Sequence, residues 1–242
     1  MRTFVWRVLA IVVVLGSGPA AGGAQPAADE VPFCEDPTRR HQTLDTRGLG
    51  AIYCTPSPAL ASSLEAAHAS ARPIFYGAVP LAWGAAALRG GEGAAAAYRL
   101  TLSQGVTYGL VLGLKHAVGR PRPYVRRPLV SRSAHYGRSQ DEQDQAFPSG
   151  HAALSAALAT SWSLTHPRWY VIAPSATWAA GVALSRLYLG VHYPSDVFVG
   201  AALGAGFATL LYQFRGVLTP PRLRGDARAA GGPPPVGIRV RF

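Results

Sequence analysis

The sequence predicts a protein of helices buried on all sides, in lipid or in a protein core. Five apolar segments carry that expectation: Pro73 to Leu88, Leu100 to Leu114, Ala152 to Thr165, Trp169 to Ser185 and Val197 to Phe214. None of them holds an Asp, Glu, Lys or Arg. A helix without a charged stripe at the 3.6-residue period has no face to give to water. Charged residues make up 14% of the 242-residue chain, against roughly 25% in a soluble domain, and that shortfall points to lipid. Small residues also recur every fourth position, in the rows Gly105, Gly109, Gly113 and Gly200, Gly204. Such rows let membrane helices approach closely, although an alanine- and glycine-rich chain also produces them by accident.

Taken in order, residues 1–24 begin with Arg2 and Arg7, run through the apolar stretch Val8 to Leu15 and end in small residues. This is the pattern of a signal peptide or of an uncleaved first transmembrane helix, and both send residue 25 onward to the outside. Residues 25–70, rich in Pro, Asp and Arg, read as an exported linker or cap. Both cysteines, Cys34 and Cys54, fall there, so one pairing is available and an oxidising compartment favours it. Residues 71–215 hold the five apolar segments. Residues 216–242 form a basic tail rich in Pro and Gly, whose end could pair as one strand, although a lone strand is not stable.

Counted from an external residue 25, the connections with Arg89 to Arg99, Arg168 and Arg215 face inward, as the positive-inside tendency requires. The connection His116 to Gly150 then faces outward despite six arginines, which calls for a functional need for cations there. The net charge of +11 suits an anionic partner. Nucleic acid is discounted, because the arginines lack the interleaved aromatics of a strand-binding groove.

Three blocks on that external side can handle an anion. The first is Lys115 followed by Arg122-Pro123, and Lys115 is the only lysine in a chain that otherwise uses arginine. The second is Pro148-Ser149-Gly150-His151, at the start of an apolar helix whose free N–H groups suit an anion. The third is Ser185-Arg186 with His192 and Asp196. In order, spacing and identity the blocks resemble the three signature motifs of the type 2 phosphatidic-acid phosphatase and vanadium haloperoxidase superfamily, over residues 71 to 215.

The resemblance implies an all-α, membrane-embedded bundle of five or six helices, with the active site at the external end of the core helices. It implies a lipid phosphatase of a bacterial-type cytoplasmic membrane, facing the periplasm or exterior. The substrate would be phosphatidate, phosphatidylglycerophosphate or an isoprenoid diphosphate such as undecaprenyl diphosphate. In the roles it implies, His192 attacks phosphorus to give a phosphohistidine, Asp196 orients His192, and His151 protonates the leaving group and then activates water. Lys115, Arg122, Ser149, Gly150 and Arg186 would bind the substrate phosphate, with no metal and no cofactor. Arg120, two residues before Arg122, would be an auxiliary contact.

Three other readings compete: a secreted soluble acid phosphatase of the same superfamily, a vanadium haloperoxidase, and a non-catalytic binder or transporter of phosphorylated lipids. The first needs amphipathic helices that these segments lack, and the chain is short for the second. Pure binding would need the cations but not a nucleophile with its orienter. His41, His68, His135 and His166 read as ordinary residues, and His116 as a neighbour outside the site. Asp141, Glu142 and Asp144 read as a solvated loop. Asp196 could also simply cap the last helix.

Overall fold

The computed structural model describes residues 32–36, 38, 42–89, 91–132 and 143–223. The expectations for residues 1–24, His41, His135, Asp141, Glu142 and the strand-like tail lie outside these.

Among the described residues the fold is all-α. The helices are α1 (Leu44–Tyr53), α2 (Pro58–Arg89), α3 (Gly91–Val118), the short α4 (Pro123–Arg126), α5 (Gly150–Thr165), α6 (Trp169–Tyr188), α7 (Pro194–Gln213) and a last turn, α8 (Arg215–Leu218). The five apolar segments all lie in long helices. Two starts differ: α3 begins at Gly91 rather than Leu100, and α2 begins at Pro58 rather than Pro73, running through the expected limit at residues 70 and 71. Its interior prolines, Pro73 and Pro80, are accommodated within the helix. The sequence hid this because the first half of α2 is polar enough to read as a linker.

In the bundle α5 packs against α7, α6 and α3, while α2 packs against α3 and α6. The α5–α7 contact is the tightest. A Cβ on Gly204 would lie 1.9 Å from the Ala153 carbonyl oxygen, and one on Gly200 2.5 Å from that of Ser149. This glycine row is therefore a true close approach. The row at Gly105, Gly109 and Gly113 is not, since a Cβ there meets nothing within 4 Å.

α7 is long and apolar enough to cross a membrane, and among the described residues it alone meets that standard of length and hydropathy. Of the other long helices, α2 and α3 carry charged residues, α5 is 16 residues long, and α6 holds Pro174, Arg186 and several Ser, Thr and Gly. Large apolar side chains nonetheless face outward along the bundle, including Tyr76, Leu81, Tyr108, Leu112, Phe198 and Leu210. A surface of this kind on every long helix is suited to lipid and unsuited to water.

α1 is docked as a cap over the end of the bundle where α3 and α6 finish and α5 and α7 begin. Its last residue, Tyr53, is buried, meets Phe33 edge-on at 6.3 Å and donates its hydroxyl to the Val130 carbonyl at 3.0 Å. Arg132 lies over both the Tyr53 and Tyr188 rings and donates to their two backbone carbonyls. Gly190, at φ +69°, turns the chain beside Tyr53, where a Cβ would also meet Leu129 at 2.8 Å.

Cys34 and Cys54 are joined in a disulfide across 20 residues. Closing a loop of that length removes unfolded-state freedom worth about 3 kcal/mol. Replacing both cysteines by serine should lower the opening free energy of the cap by about that amount. Hydrogen exchange in residues 44–53 would report it, and unchanged protection would show that packing alone holds the cap.

Candidate active site

The three blocks predicted to handle an anion come together at this one end. The start of α5 and the start of α7 are stitched by the Ser149 N–H, which donates to the Asp196 carbonyl at 2.9 Å. Arg122 enters from the connection after α3, and one of its Nη atoms donates to the Val191 carbonyl at 3.0 Å and to His192 Nε2 at 3.2 Å. Lys115, in the last turn of α3, donates to the Gln145 carbonyl. Arg186 ends α6 fully buried, donating to Ser185 Oγ and to His68 Nδ1.

The protonation of His192 follows from its partners. A guanidinium can only donate, so Nε2 accepts and the proton sits on Nδ1. That N–H donates to the Ala146 carbonyl at 2.6 Å. The expected Asp196 hydrogen bond to the imidazole is not formed: Oδ2 lies 3.7 Å from Nδ1, beyond hydrogen-bonding reach. Asp196 is committed elsewhere. Its Oδ2 accepts from the Tyr193 N–H at 2.8 Å, capping α7, and its Oδ1 pairs with Arg120. Its charge still bears on the imidazole, while the main chain holds the ring.

Two buried polar atoms at the start of α5 have no hydrogen-bond partner: Ser149 Oγ and His151 Nε2. Ser149 is the N-cap residue, yet its hydroxyl caps nothing. The His151 ring is packed 5.7 Å from Phe75 and 6.4 Å from His68. Unmade hydrogen bonds of this kind are costly in a folded protein, and a bound oxyanion would accept from the hydroxyl and, with the ring proton on Nε2, from His151 as well. The arrangement thus offers a buried imidazole with a lone pair, three cations, a free hydroxyl and the N–H groups of a helix start, which is equipment for attack at phosphorus.

Burial, reinforced by Arg122, Lys115 and Arg186, holds the His192 imidazole well below its usual value of 6.5. The unfolded chain takes up this proton near pH 6.5, whereas the folded one resists it. Stability should therefore fall as pH drops below 6.5. Between about pH 7 and pH 5.5 the wild type should lose more thermal stability than His192→Gln, which cannot titrate. Equal losses would place the imidazole in contact with solvent.

The sequence model of the PAP2 superfamily matches residues 96–220, just over half of the chain. The chain belongs to the PAP2 superfamily. It is 37% identical over 100 residues to the lipid A 1-phosphatase of Rhizobium johnstonii, covering 40% of this chain and 38% of that protein. It is 43% identical over 89 residues to phosphatidylglycerophosphatase B of Escherichia coli K12, covering 34% and 35%. The match thus spans well under half the length of these relatives. In three dimensions the chain resembles a transmembrane PAP2-type phosphatidylglycerolphosphate phosphatase from Bacillus subtilis, with a TM-score of 0.55 and 21% identity. That likeness, which concerns the fold, covers 73% of this chain and 87% of the other.

The structure adds to this PAP2 site residues that the sequence did not reveal. His68, which read as ordinary, lies on Arg186 from α2. The Gln145 and Ala146 carbonyls, just before the Phe147-Pro148 pair, hold Lys115 and His192. Arg120 contacts Asp196 and Asp45 of the cap rather than the cluster around His151. No local pattern marks a carbonyl, and nothing near His68 in sequence sets it apart.

Proposed function

We propose that this PAP2 protein is a membrane lipid phosphate phosphatase that works through a phosphohistidine, with its site on the external face. The observation that carries the reading is the buried pairing of a neutral, Nδ1-anchored His192 with unpartnered Ser149 Oγ and His151 Nε2 amid Lys115, Arg122 and Arg186. A lipid phosphate entering this end places its oxygens on the three cations and on the α5 N–H groups at Ser149 and Gly150. Arg122 then turns from Nε2 to a phosphate oxygen, and the freed lone pair attacks phosphorus. The P–O bond to the lipid breaks, and His151, having taken up a proton as the anionic phosphate binds beside it, passes that proton to the departing oxygen. Water, deprotonated by His151, next cleaves the P–N bond and releases inorganic phosphate. Asp196 offsets the positive charge that the imidazole gains on phosphorylation.

The relatives' names point to lipids, and the apolar flanks of the bundle fit a substrate whose tail stays in the bilayer. Phosphatidate, phosphatidylglycerophosphate and an isoprenoid diphosphate form the substrate set. The disulfide in the cap fits an oxidising exterior. The test is phosphate release by detergent-solubilised protein across these three lipids, with excess chelator and without added metal. Release that is indifferent to chelator supports the reading and ranks the lipids. Absence of release from all three, or release restored only by a divalent ion, would overturn it.

A further inference from the structure

The first turn of α7 carries Asp196 and comes directly after His192, yet nothing of its own caps the Ser195 N–H. Tyr193 occupies the N-cap position and Pro194 the first helical one, so the Ser195 N–H is one of the orphan donors of a helix start. Its acceptor comes from another helix. Asp45, in the first turn of the cap helix α1, accepts the Ser195 N–H on Oδ1 at 2.9 Å. Its Oδ2 accepts the Ser195 hydroxyl at 2.7 Å and Arg120 Nη2 at 2.7 Å. Arg120 closes the ring, donating through Nη1 to Ser195 Oγ at 2.7 Å and to Asp196 Oδ1, while its guanidinium lies 4.4 Å over the Tyr193 ring.

The hydroxyl of Ser195 gives its one proton to Asp45 and receives from Arg120. The carboxylate of Asp45 also complements the positive end of the α7 dipole. Hydrogen bonds from Arg120 and Ser195 outweigh the effect of burial, which alone would raise it, and hold the Asp45 carboxyl below its usual range. The contact is close as well as polar: a Cβ on Gly48, one turn along α1, would stand 2.8 Å from Pro194 Cγ.

We propose that Asp45 is a positioning residue for the reaction centre, fixing Asp196 beside His192 by clamping Arg120 and the first turn of α7. The line of force runs from Asp45 through Arg120 to Asp196, whose other oxygen faces the imidazole at 3.7 Å. Asp45 touches no substrate. It also lies outside residues 96–220, so the cap completes a site that the PAP2 domain does not close alone. This rests on the proposed phosphatase reading.

The experiment uses the full chain and the best lipid substrate, comparing wild type, Asp45→Asn and Asp45→Glu. Asp45→Asn should lower kcat about tenfold or more, because its amide meets Arg120 with a donor where a charge-bearing acceptor stood. KM and the inhibition constant of inorganic phosphate should stay within about threefold, since Lys115, Arg122 and Arg186 are untouched. Asp45→Glu should recover part of kcat, which a merely structural role would not require. Combining Asp45→Asn with Ser195→Ala should cost less than the product of the two separate losses. If Asp45→Asn does not fold, Ser195→Ala alone carries the same split between kcat and phosphate binding. An active wild type with an unchanged kcat in the variants, or with kcat and phosphate binding falling together, would overturn the clamp. An inactive wild type would instead overturn the phosphatase reading beneath it.

Discussion

His192→Ala should abolish phosphate release, lowering kcat by roughly 10⁴-fold or more while lipid binding persists. The expectation rests on the groups that survive truncation. Lys115, Arg122 and Arg186 still present their charges, and the start of α5 still offers its N–H groups, so the ground state of the bound lipid loses little. Only the lone pair that would attack phosphorus is gone, and Arg122, which lies 3.2 Å from it, can only donate and offers no replacement. The variant also strands the Ala146 carbonyl, which His192 Nδ1 normally satisfies. That costs about 1–3 kcal/mol of stability, so folding should be confirmed by thermal unfolding beside the activity assay. A further check is covalent: wild type quenched in alkaline denaturant, but not the variant, should retain labelled phosphate, because the P–N bond of a phosphohistidine survives base and not acid. A variant with kcat within tenfold of wild type would remove His192 from the reaction.

The largest expected effect on stability lies at the opposite extreme of chemistry, in a residue without a side chain. Gly204→Leu should fail to fold or lose more than about 3 kcal/mol, because even its Cβ would stand 1.9 Å from the Ala153 carbonyl oxygen. The obstacle is backbone, so no rotamer change relieves it. α7 would have to move off α5, and the Ser149 N–H to Asp196 carbonyl link lies on the same seam. Gly204→Ala should already show much of the loss. Gly109→Ala is the control: its Cβ meets nothing within 4 Å, and exchanging a helical glycine for alanine should gain about 0.5–1 kcal/mol. Thermal unfolding of the three variants and the wild type in one detergent decides this. Equal melting temperatures for Gly204→Ala and wild type would mean that the two helices can separate without cost.

What could be read from sequence divides along physical lines. The five apolar helices were legible because their lack of charge is a property of each segment by itself. The gathering of Lys115, Arg122, Ser149, His151, Arg186 and His192 was legible because the same cations and imidazoles recur at family spacings. The start of α2 was not, since a polar first half on an otherwise apolar helix imitates a linker. Asp45 was not, because its meaning depends on Ser195, 150 residues away. His68 shows the limit best: its place on Arg186 is set by how α2 packs on α6. The hydrogen bond expected from Asp196 was a reasonable inference from its four-residue spacing. It failed because the carboxylate caps its own helix and pairs with Arg120.

The oxygens that aim Lys115 and His192 belong to the peptide backbone of residues 145 and 146. Every amino acid brings the same oxygen to those places, so a scan that exchanges side chains one at a time would not report on either acceptor. At Gln145 the identity should be nearly free. At Ala146, which is wholly enclosed, tolerance should track volume rather than polarity. An ester substituted for the amide on the C-terminal side of residue 146, which weakens its carbonyl as an acceptor, would expose what mutagenesis cannot reach.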